Sequence, residues 1–192
     1  MKLLRDRSIA IITPPRCGTR YISGCLQSLG LLQPGMVSHH FDRELYNECI
    51  NDGVKVVMFI RDPFIRERSV YRWLTTIGKV HPNTTFEQYI QETQADEVPS
   101  YFEHLENDMS VIENIDYVDI NDIEQWFMDE LQASVEPHNH SYFQPADDLD
   151  DVDVYRNRPD LINPIRAKYA QDIEFFNFDV TNDIIRSGET NE

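Results

Sequence analysis

Two short runs of consecutive apolar residues stand out along the chain, SIAIIT (8–13) and KVVMFI (55–60). Each is rich in β-branched residues and each stops abruptly, the first at Pro14-Pro15 and the second at Arg61-Asp62-Pro63. Runs of this length without polar alternation predict strands buried on both faces, as in the interior of a parallel sheet. After each run the period changes. Tyr21, Ile22, Cys25, Leu26 and Leu29 recur at helical spacing from Thr19 onward, and Gly30 follows where a C-terminal cap belongs. Pro63 suits the first turn of a second helix, with Asp62 placed to cap it, and a further helix capped by Asp42 follows His39 and His40.

Downstream, Thr84 and Glu87 have the spacing of a capping box ahead of TTFEQYIQETQ. SYFEHLENDMSVIENI sets Tyr101, Phe102, Leu105, Met109 and Ile112 on one helical face. IDYVDI (115–120) predicts another strand, and Asn121 or Asp122 caps the helix DIEQWFMDEL. Pro164 is placed to start a last helix with Ile165, Tyr169, Ile173 and Phe176 facing inward. The repeated strand and helix order predicts a single three-layer α/β domain over 1–192 with a mainly parallel sheet flanked by helices.

The connection PPRCGTR (14–20) changes the picture from fold to chemistry. A strand that feeds a helix through a tight turn aims the helix's amides, and the positive end of its dipole, at the carboxyl edge of the sheet. Gly18 permits close approach of a ligand to the backbone, Thr19 adds a hydroxyl, and Arg16 and Arg20 add full positive charges. The turn suits an anion. It is not a Walker A loop, because the first glycine and the Lys-Ser/Thr pair are missing. A Cys-x5-Arg phosphatase loop also fails, since Ser23 stands where the arginine belongs, so Cys17 does not read as a nucleophile.

Charge is distributed unevenly. The formal net charge is −17, yet residues 1–80 hold 12 Lys and Arg against 7 Asp and Glu, and the remainder holds 5 against 27. The acidic half repels nucleic-acid backbones and other polyanions, which argues against a nucleic-acid partner. No run approaches the length of a membrane span, and Arg5, Asp6 and Arg7 interrupt any signal-like apolar region, so the expectation is a cytoplasmic protein with no membrane span. Three cysteines, Cys17, Cys25 and Cys49, lack metal spacing and argue for reduced thiols. His138 and His140 lack companions at zinc spacing, and the acidic run at 147–153 lacks the glycine and terminal glutamate of a calcium loop, so no metal is expected.

The segment FIRDPFIRERSVYRWL (59–74) carries a second concentration of arginine. Arg61 stands at a strand's carboxyl end, where ligands of open α/β sheets bind. Arg66, Arg68 and Arg72 read as a solvated helical face paired with Glu67. Two anion sites at neighbouring strand ends suggest a ligand with two separated phosphate-like groups. PPRCGTRYI followed by FIRDPFIRERSVYRWL resembles the sulfotransferase family, whose 5′-phosphosulfate loop and 3′-phosphate motif have this form and order. EPHNHSYFQP and YRNRPDLINPIRAKYAQDIEFFNF resemble, more loosely, the end of the carbohydrate-sulfotransferase branch.

The resemblance implies a P-loop-like α/β fold and the sulfonate donor PAPS (3′-phosphoadenosine 5′-phosphosulfate). It places Arg16 at the 5′ phosphate and bridging oxygen, Cys17, Gly18, Thr19 and Arg20 along the phosphate cradle, and Arg61 and Ser69 at the 3′ phosphate. Family loops usually carry Ser or Thr where Cys17 and Arg20 stand, so Arg20 either substitutes a charge or points away. SHHF (38–41) resembles the segment that carries the catalytic histidine, which leaves His39 and His40 as candidate bases, with a slight preference for His40. An imidazole with a pKa near 6.5 is mostly neutral at pH 7 and suits that task. Arg156 and Arg158 are further candidates for the adenine or the 3′ phosphate.

The function expected is transfer of a sulfonate from PAPS to a hydroxyl acceptor, most plausibly of a carbohydrate or glycolipid, with the oligomeric state open. The alternatives are a P-loop-type nucleotide kinase and a non-catalytic nucleotide-binding protein derived from a sulfotransferase.

Overall fold

The computed structural model describes residues 1–6, 8–32, 39–92, 98–135 and 152–178. In chain order the elements are β1 (Lys2–Leu3), β2 (Ile9–Ile12), α1 (Thr19–Ser28), α2 (Arg43–Asn51), β3 (Lys55–Ile60), α3 (Pro63–Thr76) and α4 (Phe86–Glu92). They continue with α5 (Tyr101–His104), α6 (Met109–Ile112), β4 (Asp116–Asp119), α7 (Ile123–Leu131), α8 (Pro159–Lys168) and α9 (Ala170–Phe176), with 3-10 turns at Ile120–Asp122 and Val152–Tyr155. The fold is mixed α/β. The described residues gather into two compact units, one drawn from within 1–61 and 101–135, the other from within 62–100 and 152–178.

The first unit holds a four-stranded sheet in the order β1-β2-β3-β4. β2, β3 and β4 run parallel, with Ile12 opposite Met58 and Ile60 opposite Asp119, while β1 pairs antiparallel to β2. Every residue of β2 is buried, as the unbroken apolar run predicts. One face of the sheet, formed by Ile9, Ile11, Val57 and Phe59, packs with Ile22 and Leu26 of α1 and Ile123, Trp126 and Phe127 of α7. The parallel arrangement brings the carboxyl ends of three strands to one edge, where the 13–18 turn follows β2, Arg61 follows β3 and Asp119 ends β4.

The second unit is helical. Phe64, Val70 and Leu74 of α3 form a core with Phe86, Tyr89 and Ile90 of α4 and Leu161, Ile165 and Tyr169 of the C-terminal helices. The sequence places Arg66 and Glu67 on a solvated face, and the structure corrects this, since both are buried. Arg66 donates Nη2 to the Pro99 carbonyl at 2.9 Å and lies 5.7 Å from the centroid of the Tyr169 ring. Glu67 accepts from Tyr89 Oη at 2.8 Å, Tyr169 Oη at 2.5 Å and Lys168 Nζ at 3.3 Å.

Four element expectations shift. The capping box sits one residue later: Thr85 Oγ1 accepts from Gln88 N at 3.3 Å, and Gln88 Oε1 accepts from Thr85 N at 2.9 Å. The single helical face from Tyr101 to Ile112 is broken into α5 and α6, because Glu106 and Asn107 take left-handed φ values of 60° and 55° and Asp108 caps a new start. Met109 is consequently exposed. The strand predicted over 115–120 spans Asp116–Asp119, and the last helix begins at Pro159 and carries Pro164 inside it before the chain breaks at Tyr169 and resumes as α9. Pro164 ends no helix because the proline removes only one backbone donor while Leu161 and Ile165 stay anchored in the core. His138, His140 and the run at 147–151 lie outside the described residues. Among the described residues, no helix is long and apolar enough to cross a membrane.

Candidate anion-binding site

The turn between β2 and α1 takes its shape from two left-handed residues, Arg16 at φ 69° and Gly18 at φ 71°. Glycine adopts this conformation freely, whereas an arginine there is held by its surroundings. Cys17 N closes the turn on the Pro14 carbonyl at 3.2 Å. Gly18 is the residue before the first turn of α1, where no side chain caps the helix. A Cβ on Gly18 would lie 2.8 Å from Ile120 Cδ1, so the side chain that follows β4 closes over the turn. We expect Gly18→Ala to cost about 1–2 kcal/mol, mostly from the left-handed backbone because Ile120 can swing aside; chemical denaturation measures it, and an unchanged midpoint would mean the turn is not held in this conformation.

Three guanidinium groups collect at this edge. Arg16 is half-buried, and burial, then the charges of Arg61 and Arg20, push its pKa down. Arg20 is exposed on the first turn of α1. Asp119, at the end of β4, is half-buried; burial raises its carboxyl pKa, with the Asn121 amide and Arg61 opposing.

The two histidines separate clearly. His39 is half-buried, with Nδ1 3.2 Å from Thr19 Oγ1. Burial lowers its pKa below the usual imidazole value, Lys2, His40 and Arg16 add to that, and a hydrogen bond to the Thr13 backbone opposes them. His40 exposes its side chain, while His39 is the one that reaches the first turn of α1. Thr19 is buried at the start of α1. Its hydroxyl turns inward, 3.4 Å from the Thr13 carbonyl and 3.5 Å from the Pro14 carbonyl, so it faces the turn and His39.

Cys17 is fully buried, its Sγ 3.2 Å from Tyr101 Oη. Ser69 is buried on α3 in the second unit. Arg156 and Arg158 are ion-paired within that unit, Arg156 to Asp153 at 2.7 Å and Arg158 to Asp160 at 2.8 Å and Glu87 at 3.5 Å. Those carboxylates answer the charges that sequence reading assigned to a ligand.

Sequence reading missed Lys2. It sits on β1, buried, with Nζ 3.1 Å from Ser23 Oγ on α1 and 3.3 Å from Thr13 Oγ1 at the start of the turn. Burial lowers its pKa to about 8. An isolated lysine in a two-residue edge strand carries no local signal; only the antiparallel pairing of β1 with β2 brings it under the turn. Tyr101 was read as core and is core, but its hydroxyl also reaches the backbone of Arg61. Among the described residues no group of three or more His, Cys, Asp or Glu is placed to hold a metal ion. What the edge offers is a turn with two left-handed residues, guanidinium groups around it and a half-buried histidine beside it. Compared with known proteins, the chain matches no family model and no curated protein.

Proposed function

We propose that the chain is a PAPS-dependent sulfotransferase, transferring a sulfonate to a hydroxyl of a carbohydrate or glycolipid, on a three-layer P-loop-like fold. The observation that carries this reading is the assembly of Arg16, the first turn of α1 and Arg61 at one sheet edge, with the His39 imidazole against Thr19 in that first turn. Sulfonate transfer requires cations where charge builds on the leaving phosphate and a base for the acceptor proton. Arg16 and the α1 amides take the first task. His39 takes the second, accepting the hydroxyl proton as the acceptor oxygen bonds to sulfur and the bridging oxygen departs with the nucleotide. Arg61 meets the 3′ phosphate.

A non-catalytic nucleotide-binding protein is the second reading. It is favoured by one observation: the Cys17 thiol and Thr19 hydroxyl are both engaged inside the turn.

Calorimetric titration with adenosine 3′,5′-bisphosphate tests the first step common to both. Arg61→Ala is expected to weaken binding by about 1.5–3 kcal/mol, the worth of a hydrogen bond to a charged group. No binding by the wild type at millimolar ligand would sink the sulfotransferase reading. Binding without transfer from labelled PAPS to any of a panel of sugar and glycolipid acceptors would favour the non-catalytic one.

A further inference from the structure

We infer that Tyr101 is the positioning residue of the anion site, a buried clamp that fixes the Arg16-bearing turn against the strand end that carries Arg61. This rests on the proposed donor site. Tyr101 is fully buried at the start of α5. Its Oη donates to the Arg61 carbonyl at 2.8 Å and accepts from the Arg61 amide at 2.8 Å. Both backbone groups of one residue are thereby tied to one hydroxyl, just beyond the last residue of β3, where the sheet no longer pairs them.

The third contact is Cys17 Sγ, 3.2 Å from the same oxygen. The phenol has one proton, and it is spent on the Arg61 carbonyl, so the thiol is the donor here. Its other acceptor, the Pro15 carbonyl, is farther away at 3.8 Å. One oxygen therefore joins position 17 of the turn to position 61 of the neighbouring strand, and the residues that flank those atoms bear the guanidinium groups of Arg16 and Arg61.

The clamp also explains Cys17. The residue stands where the resemblance leads one to expect a hydroxyl on the ligand, yet its side chain faces inward and contributes a hydrogen bond to the scaffold. Positioning two cations at a fixed separation matters because the ligand's phosphates have a fixed separation too, and ordering the cations beforehand removes that cost from binding.

Tyr101→Phe deletes all three contacts and keeps the ring. Two readouts follow. In the first, iodoacetamide alkylation is followed site by site by mass spectrometry without ligand. Cys17, Cys25 and Cys49 are all buried in the same unit, so the last two serve as internal references. The variant is expected to raise the Cys17 rate about tenfold or more through local opening, with the references unchanged. Equal acceleration of all three would indicate general loosening and overturn the clamp, as would an unchanged Cys17 rate.

In the second readout, Tyr101→Phe is expected to weaken adenosine 3′,5′-bisphosphate binding about tenfold in the wild-type background and less than about threefold in Arg61→Ala, because it acts through Arg61. A full tenfold effect in both backgrounds would overturn that route. If the wild type binds no bisphosphate, the donor reading fails while the alkylation result still decides the clamp.

Discussion

Replacing Glu67 by alanine is expected to destabilise the helical unit by about 3–5 kcal/mol, the cost of breaking a buried charge arrangement by removing one partner. The carboxylate is almost fully buried and collects the hydroxyls of Tyr89 and Tyr169 and the Lys168 ammonium. These donors come from α4 and the two C-terminal helices' junction, so one side chain of α3 joins three parts of the unit. Burial pushes the Tyr169 phenol pKa well up, with the Glu67 charge adding to it, so the ring keeps its proton and stays a donor at any ordinary pH.

Without the carboxylate, two buried hydroxyls lose their acceptor, and Arg66, equally buried beside Tyr169, loses the neighbouring negative charge. Lys168 is partly exposed and suffers least, since water can replace its partner. Tyr89→Phe removes one bond only and should cost about 1 kcal/mol. Guanidinium denaturation followed by tyrosine and tryptophan fluorescence measures both. A Glu67→Ala loss no larger than that of Tyr89→Phe would show that the network is not held as a unit.

The same network marks where sequence reasoning stops. β2, β3 and the starts of α2 and α3 are legible because their causes are local: an unbroken apolar run, a proline with fixed φ, an aspartate that accepts the first amides. The shape of the turn after β2 is legible for the same reason, since Gly18 and two arginines lie within a few residues of a strand end. Arg66 and Glu67 look solvated because charged neighbours on a helix usually are; their burial depends on Tyr89 and Tyr169, one on the next helix and the other near the end of the described chain. Thr84-Glu87 and Thr85-Gln88 both satisfy the capping pattern, and only the path of the chain into α4 chooses the second. The break between α5 and α6 has a local signature, ENDMS, in which Asn107 accepts a left-handed backbone and Asp108 caps, but the apolar period runs through it and hides it. Lys2 and the Tyr101 hydroxyl are purely tertiary contributions. A lysine on an edge strand and a tyrosine in a core give no hint that both end beneath one turn.

His39→Ala is expected to lower turnover by about 10²–10⁴, the usual contribution of a positioned general base, while leaving adenosine 3′,5′-bisphosphate binding within a few-fold of wild type. The assay is transfer from labelled PAPS to whichever carbohydrate or glycolipid acceptor gives the highest wild-type rate. His40→Ala should have little effect, because that side chain faces solvent. The pH profile supplies the sharper test. A base works only when neutral, so activity falls as pH drops through the pKa of His39. Burial, Lys2, His40 and Arg16 depress that pKa and the Thr13 contact only partly restores it, so the acid limb of the wild type lies below the ordinary imidazole value of about 6.5.

Lys2 carries its charge throughout that range, since its own pKa is lowered only to about 8. Lys2→Met therefore removes a positive charge that disfavours the imidazolium, and the acid limb should move up, toward 6.5, with the alkaline side unchanged. The variant also tests whether the buried ammonium merely holds Thr13 and Ser23, because loss of that support alone would lower the rate at every pH and leave the limb in place. A limb that stays put in Lys2→Met and vanishes in His40→Ala would reassign the base to His40. A limb that moves with Lys2 and disappears with His39 would place the proton transfer on His39, beside the turn proposed to hold the leaving phosphate.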